Sequence, residues 1–196
     1  MPDDLPLVVQ VSRFDKYKDP LGVIEAFKKV RKNVDCTLVL LGNVATDDPE
    51  GEEVYQSLLE HQEDRIIILS KQDTALVNAL QCKAAVVVQK SIKEGFRLTV
   101  TEAMWKRAAV VGGKVGGIKH QIEDGENAFL VESIDEAAEK IELLVKNPDL
   151  REKIGKTARE TVKKKYLMSR LLENYIDMIK AFRIRFELSG YSGKVY

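Results

Sequence analysis

Short apolar segments recur along the first two thirds of the chain, separated by longer stretches with a helical period. Five of these segments carry three to five nearly unbroken hydrophobic residues, and a sixth is weaker. In chain order they are Leu7–Val11, Thr37–Leu41, Ile66–Leu69, Ala85–Val88, Ala109–Val111 and the weaker Phe129–Val131. Strands that are apolar on both faces are typical of a parallel sheet covered by helices on each side.

The intervening stretches predict helices. Between residues 20 and 33, apolar side chains recur every three residues, and Pro20 suits the first turn of a helix. Further helices are predicted over residues 52–61, 74–81 and 100–106. The alternation of strand and helix predicts an α/β fold with right-handed crossovers: a Rossmann-like, three-layer α/β/α domain with a parallel sheet of about six strands.

The strand pattern ends near Ser133. Residues 134–146, 150–165 and 167–182 predict three consecutive C-terminal helices. We therefore expect one domain over residues 1–182 and a loosely ordered tail over residues 183–196. A polar stretch from Asn43 to Gly51 predicts a surface loop. An apolar stripe in the last helix could pack on its own domain, on an absent one, or on a partner.

Composition narrows the classes of function. The 31 basic and 31 acidic residues cancel, so no overall charge favours nucleic acid or an anionic membrane. Cys36 and Cys82 are too few for a disulfide framework and lack metal-ligand spacing. The sequence shows no leader and no apolar run long enough to span a membrane, so a cytoplasmic protein is expected.

Two basic residues follow the first predicted strand. Arg13 and Lys18 precede the first predicted helix, and no Gly-x-Gly-x-x-Gly or Walker lysine motif is present. In an open parallel sheet, ligands bind beyond the carboxyl ends of the strands. Two cations beside a helix N-terminus suit a phosphate, although a basic loop that is simply solvated would show the same pattern.

Two carboxylates bracket the loop after the fourth strand. Glu94 lies in the loop and Glu102 lies one turn into the next helix, with Gly95 permitting close backbone approach. Backbone N–H groups near residues 98–100 can donate to an anion. Plain pairing of Glu102 with the helix dipole is the alternative. After the fifth strand, four glycines within residues 112–117 indicate either a tight connection or a ligand-binding wall.

Taken together, these motifs resemble glycosyltransferase family 4 over about residues 7–182. The resemblance is carried by the segment from Val11 to Lys18, by a Glu-x7-Glu signature from Glu94 to Glu102, and by residues 115–118 and 124–131. Within the family, residues 47–51 and 98–106 are most similar to the members that join a nucleotide-activated glucose to glucose to form trehalose.

The resemblance implies one half of a GT-B glycosyltransferase, the C-terminal donor-binding domain, with an acceptor domain lying before residue 1. It implies retention of anomeric configuration, a donor such as UDP-glucose or ADP-glucose, and no metal or other cofactor. Arg13 and Lys18 would bind the diphosphate, Glu94 the sugar hydroxyls and Glu102 the ribose. The backbone of Gly95, Phe96, Arg97, Leu98 and Thr99 would line the sugar and diphosphate, and the base would lie near Leu69, Ser70 and Lys71.

The sequence departs from the family pattern at two places. Arg97 stands where members commonly carry glycine, and Arg107-Ala108-Ala109 replaces a Gly-x-Pro turn. A side chain at position 97 either crowds the phosphates or adds a cation. Two other readings stay open: a sugar-nucleotide epimerase with the same fold, and a non-catalytic binding module whose C-terminal helices dock a partner.

Overall fold

A computed structural model describes residues 5–43 and 49–188, with side chains up to residue 183. It contains one six-stranded parallel sheet in the order β3-β2-β1-β4-β5-β6. The strands are β1 Leu7–Val11, β2 Thr37–Gly42, β3 Ile66–Ser70, β4 Val86–Gln89, β5 Ala109–Gly113 and β6 Phe129–Val131. The predicted parallel sheet of six strands is therefore confirmed.

Helices cover both faces of this sheet. They are α1 Pro20–Val30, α2 Pro49–Leu59, α3 Thr74–Lys83, α4 Leu98–Trp105, α5 Ile118–Gln121, α6 Ile134–Lys146, α7 Pro148–Lys165 and α8 Met168–Leu188. Helices α1, α2 and α6 pack on one face with Val8, and α3, α4, α5 and α7 pack on the other with Val9. Neighbouring strand residues point to opposite faces, and both are fully buried, which explains the unbroken apolar runs.

The strand order reverses direction between β1 and β4. From β1 the chain first builds outward to β2 and β3, and then returns to the other side of β1 to add β4, β5 and β6. At such a switch point the loops that leave two adjacent strands diverge to opposite faces and leave a crevice at the carboxyl edge of the sheet. The loops after β1 and β4 carry the predicted phosphate-binding and carboxylate residues.

Local capping fixes where the helices begin. The Asp19 carboxylate accepts from the Gly22 amide and Pro20 occupies the first turn of α1. At α6, the Ser133 hydroxyl accepts from the Glu136 amide. In return, the Glu136 carboxylate accepts from the amide of Glu132, the residue before the N-cap.

Several predicted boundaries differ from the observed ones. Helix α2 begins at Pro49, inside the predicted loop of residues 43–51, while residues 44–48 lie outside the described residues. Strand β5 extends through Gly113 and thereby includes two of the four glycines. The short helix α5 was not predicted.

The last helix is longer and more exposed than the sequence predicts. Helix α8 runs to Leu188 instead of ending at residue 182, so the first part of the predicted tail is helical, and residues 189–196 lie outside the described residues. Its apolar side chains, among them Leu172 (60% exposed) and Ile179 (62%), do not pack on this domain. Across the described ranges, no helix is both long and apolar enough to cross a membrane.

Candidate functional site

A cavity of about 850 Å³ opens at the carboxyl edge of the sheet. Its walls come from the ends of β1 and β2, from the loop that enters α3, and from one face of α4. The lining residues are 11–13, 41–43, 71–75, Val77, Asn78, Arg97, Thr99, Glu102 and Lys106. This is the crevice that the strand order predicts, and its volume matches that of small-molecule sites in proteins.

The loop after β1 directs its two basic residues differently. Asp15 caps a short 3-10 helix, Lys16–Lys18, by accepting from the backbone amides of Tyr17 and Lys18. The Arg13 side chain stays 63% exposed, with one ion pair of 3.8 Å to Asp15, and Arg13 lines the cavity. The Lys18 side chain is only 10% exposed and turns towards the loop after β4.

Glu94, in the loop after β4, forms an ion pair with Lys18. The Glu94 Oε2 atom lies 2.8 Å from Lys18 Nζ and 3.2 Å from the Nη1 atom of Arg97. Ser91 Oγ donates to the same oxygen, and the amide of Gly95 donates to Oε1. The Glu94 carboxylate is therefore held in place by several donors, and its side chain is only 12% exposed.

Arg97 bridges this carboxylate and the strand ends. Its Nη2 atom donates to the carbonyl of Val11 at the end of β1, and its Nε atom donates to the side chain of Gln89 at the end of β4. Burial lowers the pKa of Arg97, and the charge of Glu94 opposes that shift. Because Arg97 also lines the cavity, a buried cation forms part of the cavity wall.

The first turn of α4, which reaches the cavity at Thr99, carries unused hydrogen-bond donors. Among the described residues, none accepts a hydrogen bond from the backbone amide of Leu98 or Thr99. The Oγ1 atom of Thr99 is buried and has no hydrogen-bond partner there either. Unpartnered buried hydroxyls are uncommon in folded proteins, so a polar ligand at this helix N-terminus would satisfy both features.

Glu102 lies one turn further along α4 and lines the cavity. Its side chain is exposed, and no hydrogen bond or ion pair joins its carboxylate to another residue in the described part of the chain. It lies too far into the helix to be an N-cap. Glu102 is thus an open acceptor that faces the cavity.

The glycines after β5 hold the Glu94 loop in place. A Cβ at Gly116, which has φ +45°, would lie 1.6 Å from the carbonyl oxygen of Glu94, and one at Gly117 would lie 2.5 Å from that of Gly95. The amide of Gly117 donates to the Gly95 carbonyl. Gly112 and Gly113 belong to β5, where side chains would collide with Ile118, Ile122 and Ser91. These glycines accommodate protein backbone and side chains, which favours the tight connection over the ligand-binding wall.

The structure brings some of the predicted site residues together at the cavity and places others beside it. Arg13, Lys71, Arg97, Thr99 and Glu102 line the cavity. Glu94 lies one contact behind it, through Arg97, and Lys18 lies behind Glu94. The remaining predicted residues do not line it: Leu69, Ser70, Gly95, Phe96 and Leu98.

Phe96 has a different neighbour. Its ring lies 5.6 Å from that of Tyr166, at the break between α7 and α8. The base was predicted near Leu69, Ser70 and Lys71. Of these, Lys71 continues the β3 edge by donating its amide to the Gly42 carbonyl, which places it on the cavity wall.

Sequence reasoning missed the far wall of the cavity. Asn78 on α3 and Lys106 on α4 line it, and Lys106 Nζ donates to Gln81. The position of Lys106, four residues after Glu102 on the same helix face, is the signal that could have identified it. In the described ranges, no group of three or more His, Cys, Asp or Glu side chains is arranged to hold a metal ion.

Comparison with known proteins completes the description. A family model described as "Glycosyl transferases group 1" matches residues 1–161. The chain is 40% identical over 183 residues to a trehalose synthase of Thermococcus litoralis, covering 90% of this chain and 44% of the relative. The chain thus spans less than half the length of that relative.

Solved structures agree with this match. The C-terminal domain of the group 1 glycosyl transferase LpcC from Francisella tularensis superposes with a TM-score of 0.71 at 29% identity, covering 84% of this chain and 89% of that domain. The Anabaena protein HepE, crystallised with UDP-glucose, superposes with a TM-score of 0.77 at 20% identity, covering 91% of this chain and 49% of HepE.

Proposed function

The chain belongs to the glycosyl transferases group 1 family, and on that premise we propose that it is the donor-binding half of a retaining glycosyltransferase. The proposed donor is a nucleoside diphosphate hexose, such as UDP-glucose or ADP-glucose. The proposed acceptor is a sugar bound by a second domain, with trehalose as the product. The relative named trehalose synthase supports the product, and the UDP-glucose complex of HepE supports the donor.

One observation carries the proposal. Arg13, Thr99 and the open Glu102 carboxylate line a single cavity at the switch point of the sheet, and within the described residues the buried Thr99 hydroxyl has no hydrogen-bond partner. A nucleoside diphosphate needs positive charge and N–H donors for its phosphates, and a carboxylate acceptor for its ribose hydroxyls. The cavity offers these groups within one turn of α4 and one loop.

The nucleoside fits the outer part of the cavity. Glu102 would accept hydrogen bonds from the ribose hydroxyls. The base would lie between the end of β2 and the first turns of α3, where Leu41, Ala75 and Val77 supply apolar surface. Asn78 and Lys106 add polar groups at that end.

The diphosphate would lie against the first turn of α4. The amides of Leu98 and Thr99 and the Thr99 hydroxyl would donate to it, with Arg13 opposite. The sugar would then reach Glu94, whose carboxylate is held by Lys18 and Arg97. Fixed carboxylate oxygens at this point would orient the hexose by its hydroxyls.

This arrangement suits cleavage of a glycosyl–phosphate bond. As the C1–O bond breaks, the electron pair leaves with the diphosphate and positive charge develops on the sugar ring. Arginine and helix amides that already point at the phosphates stabilise the departing anion without reorganisation. In the proposed reaction these groups take the role that a metal ion has in other transferases. The acceptor hydroxyl oxygen then forms the new bond to C1 on the face that the diphosphate leaves, and its proton passes to the departing phosphate, so the anomeric configuration is retained.

Calorimetric titration of the 196-residue chain with UDP and with ADP tests the proposal directly. We expect saturable binding of at least one of the two, and tighter binding of the corresponding nucleotide glucose. The Glu102→Ala variant, which removes the open acceptor without touching the diphosphate site, should bind the same nucleotide more weakly, and Glu126→Ala on an exposed turn is the control. Absence of saturable binding up to millimolar nucleotide would refute the proposal.

A further inference from the structure

Arg97 occupies a position that the family pattern gives to glycine, and its side chain turns inward to the floor of the cavity. The guanidinium is 13% exposed. Hydrogen bonds to Val11 and Gln89 use two of its five N–H groups, and an ion pair joins it to Glu94. With three contacts, the guanidinium has little conformational freedom. Some of its N–H groups nevertheless remain available to donate to a ligand.

Two cations share the Glu94 carboxylate. The ion pairs beneath the cavity connect four cations with three carboxylates. They are Arg13, Lys18, Lys90 and Arg97 on one side, and Asp15, Asp19 and Glu94 on the other. Lys90 has Asp19 and Arg13 has Asp15, so Lys18 and Arg97 are left with Glu94 between them. The side chains of Lys18, Arg97 and Glu94 are each about one tenth exposed, and Glu102 is the further carboxylate that acts on Arg97 from the cavity. An anion bound in the cavity would give Arg97 a partner that it does not share with Lys18.

The position of Arg97 specifies which anion would fit. On one side Arg97 contacts Glu94, the proposed acceptor for the sugar hydroxyls. On the other side it lines the cavity together with Thr99 and Glu102. A group bound beside Arg97 would therefore lie between the sugar and the nucleoside. In a nucleoside diphosphate sugar, that group is the phosphate that carries the sugar.

We propose that Arg97 binds the sugar-bearing phosphate of the donor and stabilises it as the leaving group. This inference rests on the proposed function. It gives Arg97 the role of second phosphate-binding cation that the sequence had assigned to Lys18. Lys18 instead holds Glu94 from behind, with its Nζ atom 2.8 Å from the carboxylate.

Arginine suits this position better than lysine. A planar guanidinium can contact Val11, Gln89 and Glu94 at once and still present N–H groups to a phosphate, whereas a lysine ammonium has one donor centre. The same rigidity argues against a side chain that simply moves out of the way when the donor enters. Obstruction of the phosphate site by Arg97 is the opposite outcome, and binding measurements separate the two.

The test compares UDP with UMP, because only UDP has the phosphate that would carry the sugar. Both are titrated calorimetrically into the wild-type chain, Arg97→Met, Arg97→Lys and the surface control Arg170→Met. We expect Arg97→Met to weaken UDP binding about tenfold or more, with a much smaller effect on UMP. Arg97→Lys keeps the charge, so its affinity for UDP should lie between those of the wild type and Arg97→Met. Arg170→Met should bind UDP as the wild type does.

Each contrary result has its own meaning. Arg97→Met that binds UDP as tightly as the wild type, or more tightly, overturns the inference and identifies the side chain as an obstruction. Equal losses for UDP and UMP, together with a lower melting temperature, overturn it in favour of a purely structural arginine. If the wild-type chain binds ADP instead of UDP, the same comparison is made with ADP and AMP. A wild-type chain that binds neither UDP nor ADP refutes the proposed function itself, and the role of Arg97 with it.

Discussion

Lys18 and Glu94 are 76 residues apart in sequence, yet Lys18 Nζ lies 2.8 Å from the Glu94 carboxylate. The contact joins the loop after β1 to the loop after β4, the two loops that diverge at the switch point of the sheet. Both side chains are about one tenth exposed, so the pair experiences little solvent screening. The two motifs therefore form one structural unit beneath the cavity.

Removal of Lys18 should destabilise the fold more than removal of a surface partner. Lys18→Met leaves Glu94 with Arg97 as its remaining cation, so we expect a loss of about 2–3 kcal/mol in the free energy of unfolding. Lys29→Met, which breaks the exposed ion pair with Asp135, is the matched control and should cost at most about 1 kcal/mol. Urea denaturation measures both, and equal losses would contradict the prediction.

The two glutamates of the Glu-x7-Glu signature should fail in different ways. We expect Glu102→Ala to weaken UDP binding about tenfold, because the ribose loses a charged acceptor. Glu94→Ala should chiefly remove the additional affinity of UDP-glucose over UDP. Calorimetry with both ligands separates the roles, Glu126→Ala on an exposed turn is the control, and thermal melting checks that each variant folds. Equal losses of UDP affinity in the two variants would refute this division.

The sheet could be predicted from sequence because its signal is local. Each of the four inner strands is a short run of residues buried on both faces, as Val8 and Val9 show by facing opposite layers. Helix starts could also be predicted where a cap and a proline coincide, as at Asp19 and Pro20. The extension of α8 to Leu188 could not, because the apolar side chains described up to Phe182 are exposed and mark no end to the helix.

The sequence predicts which edge of the sheet carries the candidate residues, but not the directions of their side chains. Strand ends locate Arg13, Glu94 and Glu102 at one edge of the sheet, since parallel strands end together. Sequence does not show that Lys18 turns away from the cavity and Arg97 turns towards it. Those directions depend on contacts with Gln89, Val11 and Glu94, which only the assembled sheet creates.

Gly116 should tolerate no side chain. Gly116→Ala places a methyl group against the carbonyl of Glu94 at a positive φ, so the Glu94 loop must shift, with an expected cost of about 2–4 kcal/mol and loss of UDP-glucose binding. Gly125→Ala is a matched control because Gly125 also has a positive φ, of 76°, but nothing lies within 4 Å of an added Cβ. Gly125→Ala should lower the free energy of unfolding only by the backbone strain, about 1 kcal/mol, and should leave UDP-glucose binding unchanged. Similar losses for the two variants would show that φ alone, and not the contact with Glu94, requires glycine.

The two cysteines should differ in reactivity, and the buried one should make stability depend on alkaline pH. Burial raises the pKa of the Cys36 thiol to about 11, whereas Cys82 is exposed. In native protein at pH 8, a thiol reagent should therefore label Cys82 quickly and Cys36 only after the chain unfolds. Because the folded-state pKa is raised, the contribution of Cys36 is fully present below its unfolded-state pKa near 9 and is lost as the pH rises towards about 11.

Comparison of wild type with Cys36→Ala checks the pH dependence, since the variant lacks the titrating thiol and differs in core volume by a pH-independent amount. The difference in free energy of unfolding between the two should be constant from pH 7 to about 8.5 and shrink above that range. A difference that stays constant up to pH 11 would show that the Cys36 thiol ionises equally easily in the folded and unfolded chain. Rapid labelling of both thiols at pH 8 would show that the end of the loop between α1 and β2 opens readily, since Cys36 is fully buried there.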